Sequence, residues 1–212
     1  MLPSRFPEVK PYPRLRRLLR DQVDMQFRDL RTMLRLPRGT LRAGCNFGAA
    51  AILFNLIAGS SVCFFDASLE GLGSKRDRGD RFKAVLRTYY PWGKEPLDSG
   101  RVIDSLWQYT RNPLSHALGL DEAGESPEIG LQKWPLTVRK VREIEEALER
   151  PQWLPPTAYE ATSQVGRMLL ISVPTLYWGT HRMLHNLFAD PQQAKQADAL
   201  ACSLLDRARA SR

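Results

Sequence analysis

Cysteine and histidine are scarce in this chain, which excludes most of the chemistry that depends on them. The 212 residues include three cysteines, at positions 45, 63 and 202, and three histidines. No two cysteines have the spacing of a zinc-binding pair, and an odd number of widely separated cysteines is not a disulfide framework. We therefore expect free thiols in a reducing cytoplasm, with no metal and no cofactor.

A secretory signal and a convincing membrane span are also lacking. Prolines at positions 3, 7, 11 and 13 predict an extended arm over residues 1–12. Between Arg42 and Asp66 lie 23 uncharged residues, which is long enough to cross a bilayer. Their content of Gly, Ser and Asn makes insertion marginal, so we favour a buried helix and expect no membrane partner.

Positive charge is concentrated at one end of the chain. The net charge is +8; residues 1–42 hold eleven Lys/Arg and four Asp/Glu, whereas the other 170 residues hold twenty and nineteen. Such a segment is typical of a phosphate-binding surface, although a solvated helix that only aids solubility gives the same pattern. We predict an RNA-binding surface formed by Arg14, Arg17, Arg20, Arg28, Arg31 and Arg35.

Apolar residues recur at helical spacing through most of the chain, which predicts an all-α bundle. The clearest stripe consists of Leu15, Leu19, Val23, Phe27, Leu30 and Leu34. Helices are predicted over residues 13–36, 43–66, 80–90, 98–119, 136–150, 175–189 and 192–208. Residues 67–80 and 121–130 are predicted loops, and residues 168–173 fit either a short strand or a buried helix.

Residues 111–116 read Arg-Asn-Pro-Leu-Ser-His and gather the most distinctive polar side chains of the chain. Asn112 and His116 are four residues apart and so are neighbours on a helix, while Pro113 predicts a kink. Histidine can move a proton at neutral pH, and the arginine fork matches phosphate oxygens. The cluster therefore suits metal-free transphosphorylation, with His116 as acid/base, Arg111 stabilising charge and Asn112 orienting the phosphate.

The same six residues resemble the Arg-x4–6-His signature of the HEPN superfamily, in its Arg-Asn-x3-His form. Members are small α-helical bundles, many of them metal-independent endoribonucleases of toxin–antitoxin, anti-phage or CRISPR-linked systems. The resemblance implies a HEPN-like core over residues 13–120, with additional C-terminal helices over 121–212 packed on the same domain. It also implies a homodimer with facing motifs, in which Arg111, Asn112 and His116 form the catalytic set, and a cognate antitoxin or larger defence complex as partner. Leu118 stands where some HEPN toxins carry a modifiable Tyr, so we do not expect that form of silencing.

Two other functions remain open. The chain could be a non-catalytic RNA- or nucleotide-binding scaffold, or a plain helical interaction protein in which Arg111 caps a helix and His116 is an interior histidine. A zinc site at His181 and His185 is disfavoured, because Arg182 lies between them and no glutamate or cysteine pair accompanies them. We expect those two histidines to be solvated or capping. Tyr177 and Trp178, in the same helix, are expected in the core or an interface.

Overall fold

The helices and strands are those of a computed structural model, which describes residues 11–35, 45–65, 78–93, 95, 97–111, 128–131, 156–163 and 166–210. Within these ranges the chain is mostly helical, as the apolar periodicity predicts. Helix α1 comprises Pro13–Leu18, a π-helical turn over Leu19–Val23, and Asp24–Arg35. The others are α2 (Asn46–Cys63), α3 (Arg78–Tyr89), α4 (Ser99–Ser105, continuing as π-helix over Leu106–Arg111), α5 (Val173–Ala189) and α6 (Pro191–Ala210).

The apolar stripe of α1 is buried along its whole length, which confirms the pattern predicted from the sequence. Three successive steps of four residues, from Leu15 through Leu19 and Val23 to Phe27, would each rotate about 40° too far on a regular α-helix. The wider π-helical turn over Leu19–Val23 takes up this excess, so the stripe stays on one side. The arginines are thereby kept on the opposite, outward side.

Helix α2 is the centre of the bundle. It packs against α1, α3, α5 and α6 and also against the π-helical end of α4. Among the described residues it is the one helix long and apolar enough to cross a membrane, and half of its residues are buried inside the protein. The predicted central helix is therefore present, three residues shorter at each end than expected, and one of its sides is not covered by the described residues.

A small sheet joins the helices and was not predicted. Its strands are β1 (Glu128–Leu131), β2 (Ala158–Ser163) and β3 (Gly166–Ile171), in the order β1-β3-β2. β1 is parallel to β3 and β2 is antiparallel to it. Residues 128–130 are therefore strand rather than the predicted loop, and the ambiguous segment at 168–173 resolves as the end of β3 and the start of α5. The predicted helix at 136–150 lies outside the described residues.

Hydrogen bonds at Thr157, which is itself buried, connect this sheet to the bundle. The hydroxyl groups of Thr157 and Tyr90 lie 3.0 Å apart, and the Glu95 carboxylate accepts from the Thr157 N–H at 3.0 Å. The carbonyl of Thr157 in turn accepts from the N–H of Ser172, the residue that caps α5. One residue therefore connects the end of α3, the start of β2 and the start of α5.

The two ends of the described chain are also tied together. The N–H of Leu15, in the first turn of α1, has no partner within its own helix and donates to Asp198 Oδ1 on α6 at 2.9 Å. The first half of α1 packs along α6, and its second half packs on α2. α1 is therefore held at both ends, with its arginine-bearing side outward.

Candidate nucleic-acid interface

Helix α4 positions the beginning of the predicted catalytic motif. Asp98 caps the helix by accepting from the Arg101 N–H at 2.9 Å, which confirms the predicted helix start. Ile103 and Leu106 are fully buried and fix the helix to the bundle. The backbone of Arg111 is the last position of the π-helical segment, while its side chain, Asn112, His116 and the predicted kink at Pro113 lie outside the described residues.

Two residues before the π-helical segment, the polar side of α4 contributes Asp104 to a compact ion cluster. Asp104 Oδ1 lies 2.9 Å from Lys83 Nζ and 3.9 Å from Arg87 Nη2, both on α3. A single carboxylate on α4 thus faces two cations on α3, which leaves a local excess of positive charge on α3, beside the helix that carries Arg111. The sequence did not reveal this cluster, because it arises from the packing of α3 on α4.

The outward side of α1 has a second and larger excess of positive charge. Residues 13–35 include seven arginines and three aspartates. Arg14, Arg16, Arg17 and Arg20 are all exposed, and in that half of the helix Asp21 is the single acidic residue. Arg16 was not among the predicted RNA-binding residues, although its neighbour Arg17 was.

Asp21 is shared between two of these arginines. Its carboxylate lies 2.7 Å from Arg20 Nε and 3.5 Å from Arg17 Nε, and both arginine side chains are about two-thirds exposed. The hydrogen bond from Arg20 is the main reason that the pKa of Asp21 is held below its ordinary value. These are exposed ion pairs, which contribute little to stability and rearrange readily. Both guanidinium groups are therefore accessible to a phosphate.

The remaining predicted RNA-binding arginines differ in exposure. Arg28 is exposed, whereas Arg31 is only partly exposed. For Arg35 the structure describes the backbone alone, at the end of α1. Arg14, Arg16, Arg17, Arg20 and Arg28 therefore form the basic face of α1, by which we mean these five residues.

His181 is not solvated, so that part of the sequence-based expectation for it is wrong. It is buried on α5, with its ring 5.1 Å from that of Phe27 in an edge-to-face contact. Burial is the largest cause lowering its pKa to about 4, and the neighbouring His185 and Arg182 lower it further. Tyr177 packs against Phe27 in the same cluster, which confirms the expectation of core aromatics. Within the described ranges, no three His, Cys, Asp or Glu side chains are grouped as metal ligands would be.

No protein-family model, no curated protein and no solved structure matches this chain. The features that bear on function are therefore the basic face, the motif and the bundle that holds them.

Proposed function

We propose that this protein binds RNA through the basic face of α1 and cleaves it, without a metal ion, at Arg111, Asn112 and His116. The observation that supports binding is the row of exposed arginines with a single acidic neighbour in the first half of α1. An extended row of guanidinium groups suits the repeated phosphates of a polynucleotide better than it suits one small anion.

The proposed cleavage follows from the chemistry of the motif. The ribose 2′-oxygen forms a bond to the adjacent phosphorus while the bond from phosphorus to the 5′-oxygen breaks. The 2′-OH proton passes to a neutral histidine, and a protonated histidine donates a proton to the leaving 5′-oxygen. Arg111 stabilises the charge on the phosphoryl oxygens, and Asn112 orients the phosphate. The products are a 2′,3′-cyclic phosphate, or the phosphate formed when it opens, and a 5′-OH.

One copy of the motif provides one histidine, whereas the reaction uses a base and an acid. A homodimer with facing motifs would provide both from two copies of His116. This is the arrangement implied by the resemblance to HEPN endoribonucleases, and it suits a toxin or an anti-phage or CRISPR-linked defence protein in the cytoplasm.

A second candidate is a non-catalytic RNA- or nucleotide-binding subunit, or a scaffold, within a larger defence complex. The basic face alone would be sufficient for that role, and the ion cluster at Asp104 supports RNA binding near α4 in either case. The two candidates share the interface and differ in whether His116 moves a proton.

The basic face is tested by the salt dependence of RNA binding. Each phosphate contact on a single strand contributes about 0.7 to the slope of log affinity against log salt. Replacing Arg14, Arg17 and Arg20 by Gln should therefore lower the slope by about 2, measured by fluorescence anisotropy with labelled single-stranded RNA.

The matched control is Arg182→Gln, which removes an exposed charge from α5 and should leave the slope unchanged. An equal slope for the triple variant and the unaltered protein would mean that the basic face aids solubility and does not bind RNA.

A further inference from the structure

The open side of α2 is long, uncharged and partly apolar. Helix α2 contains no charged residue in its 18 positions. Three large apolar side chains are exposed among the described residues, and two of them, Phe47 and Val62, lie at the two ends of this side with 43% and 45% of their surface accessible. Between them the exposed positions are Gly48, Asn55 and Gly59, flanked by the partly exposed Ala51, Ile52 and Ala58.

We propose that this side of α2, which we call the open face, binds the same face of a second copy of the chain, with the two helices antiparallel and Asn55 at the two-fold axis. In such a pair, residues at equal distances before and after Asn55 oppose each other. Phe47 then opposes Cys63, Gly48 opposes Val62, Ile52 opposes Ala58, and Ala51 opposes Gly59. Each of these pairings sets a larger side chain against a smaller one, which lets two helix surfaces interdigitate.

The sequence of the open face favours a second copy over other occupants. RNA would need cations, which α2 lacks. A bilayer would favour large apolar side chains throughout, whereas the middle of the face holds Asn55 and Gly59. A lone asparagine in an apolar helix surface is well suited to fixing the register of a helix pair, because it can hydrogen-bond to its own copy only when the two are aligned.

The size of the open face sets the expected strength of the dimer. Residues 47–63 extend over about 26 Å, and an α-helix with its side chains is about 10 Å wide. A standard interface uses about 800 Å² per partner, which this helix pair alone does not reach. We therefore expect a dimer that dissociates in the micromolar range.

The pairing of two α2 helices also bears on the proposed function, because it would let two copies share one active site. That consequence alone rests on the proposed function. Helix α2 packs against the π-helical end of α4, where Arg111 stands. An interface on α2 would therefore connect the partner to the element that carries the catalytic motif. The pairing of the two α2 helices itself depends only on the open face.

Site-directed cross-linking tests the pairing and its direction. In the full chain with Cys45, Cys63 and Cys202 changed to Ser, Asn55→Cys should cross-link to its own copy with a short bis-maleimide. Phe47→Cys should not, because antiparallel copies of this position lie about 24 Å apart. A mixture of Phe47→Cys with a variant that keeps Cys63 as its single cysteine should give the cross-linked heterodimer.

Sedimentation provides the second measurement. Asn55→Asp places two carboxylates at the axis and should shift the protein to monomer at 50 μM, whereas Gln192→Glu on the exposed side of α6 should leave the dimer intact. Self-cross-linking of Phe47→Cys, a monomer at every concentration, or flotation with anionic vesicles that Phe47→Ser abolishes would each overturn the proposal. Loss of RNA binding in the Arg14, Arg17 and Arg20 variant would leave cross-linking unchanged, so the two proposals fail separately.

Discussion

At the scale of single residues, the interior of α5 contains two threonines with opposite hydrogen-bonding environments. Thr175 is buried, and its hydroxyl lies 2.8 Å from that of Ser172. Thr180 is fully buried, and in the described part of the chain its hydroxyl has no hydrogen-bond partner. A buried polar group without a partner costs stability, whereas a paired one contributes to it.

Thr180→Val should therefore raise the free energy of unfolding by about 1 kcal/mol, because valine has nearly the same shape and no polar atom. Thr175→Val should lower it by about the same amount or more, since it removes the buried hydroxyl–hydroxyl hydrogen bond and leaves the Ser172 oxygen with only the backbone N–H of residue 175. Urea denaturation of both variants measures the two changes. A loss of stability at both positions would mean that Thr180 has a partner in solution.

The pKa of His181 predicts how stability depends on pH. Its pKa is about 4 in the folded protein and ordinarily 6.5, so the unfolded chain binds the proton more tightly. Stability from this group is fully present above pH 6.5 and is lost as the pH falls towards 4, by about 3 kcal/mol in all. His181→Gln should remove most of this pH dependence in melting experiments between pH 4 and 7. His185→Gln, at a partly exposed position, is the control and should retain it.

At the scale of elements, α5 and the end of α3 approach unusually closely. A Cβ atom at Gly179 would overlap the ring and hydroxyl oxygen of Tyr90. Tyr90 is buried, which raises its pKa, and it is held by its hydrogen bond to Thr157 and by a ring contact with Trp92 at 4.5 Å. Glycine at this position thus allows the sheet junction and α5 to meet.

Gly179→Ala should destabilise the fold by about 1–3 kcal/mol, because the added methyl group forces Tyr90 away from Thr157. Tyr90→Phe keeps the ring and loses only the hydrogen bond, so its cost should be smaller, about 1 kcal/mol. Thermal melts of both variants give the comparison. Equal melting temperatures for Gly179→Ala and the unaltered protein would show that Tyr90 can shift at little cost.

The elements differ in how far the sequence predicts them. The stripe of α1 and the start of α4 at residue 98 are local features, so periodicity and residue type were enough. The π-helical turn of α1 was missed, although three successive four-residue steps beginning at Leu15 signal it.

The sheet was missed because β1 pairs with β3 from about forty residues away, and periodicity carries no information on pairing partners. The Lys83–Asp104 contact was hidden for the same reason. The motif at Arg111 could be proposed because its residues are adjacent in sequence, and its role stays a prediction.

At the scale of the whole molecule, the proposed active site is tested by measuring RNA cleavage in the absence of metal ions. Activity on single-stranded RNA should survive EDTA. His116→Ala should remove the proton transfer and Arg111→Ala the charge stabilisation, each reducing the rate by roughly a hundredfold or more. His185→Ala is the matched control and should retain activity, and gel analysis of labelled RNA measures all three.

Unchanged activity in His116→Ala combined with a collapse of thermal stability would contradict the catalytic role. His116 would then be an interior histidine, and the non-catalytic RNA-binding function would take precedence.

The hydrogen bond between Leu15 and Asp198 determines when α1 can become fully docked during synthesis of the chain. The two residues are 183 positions apart. At a synthesis rate of about 5–20 residues per second, the start of α1 waits roughly 10–40 s before the residue that caps it has been made. Until then the arginines of α1 belong to a helix that is docked at one end only. In a nascent chain, the basic face of α1 would therefore be fixed in place only after Asp198 has been made. The proposed contact between that face and RNA would then be delayed until that point of synthesis, which limits the exposure of the message and the ribosome to it.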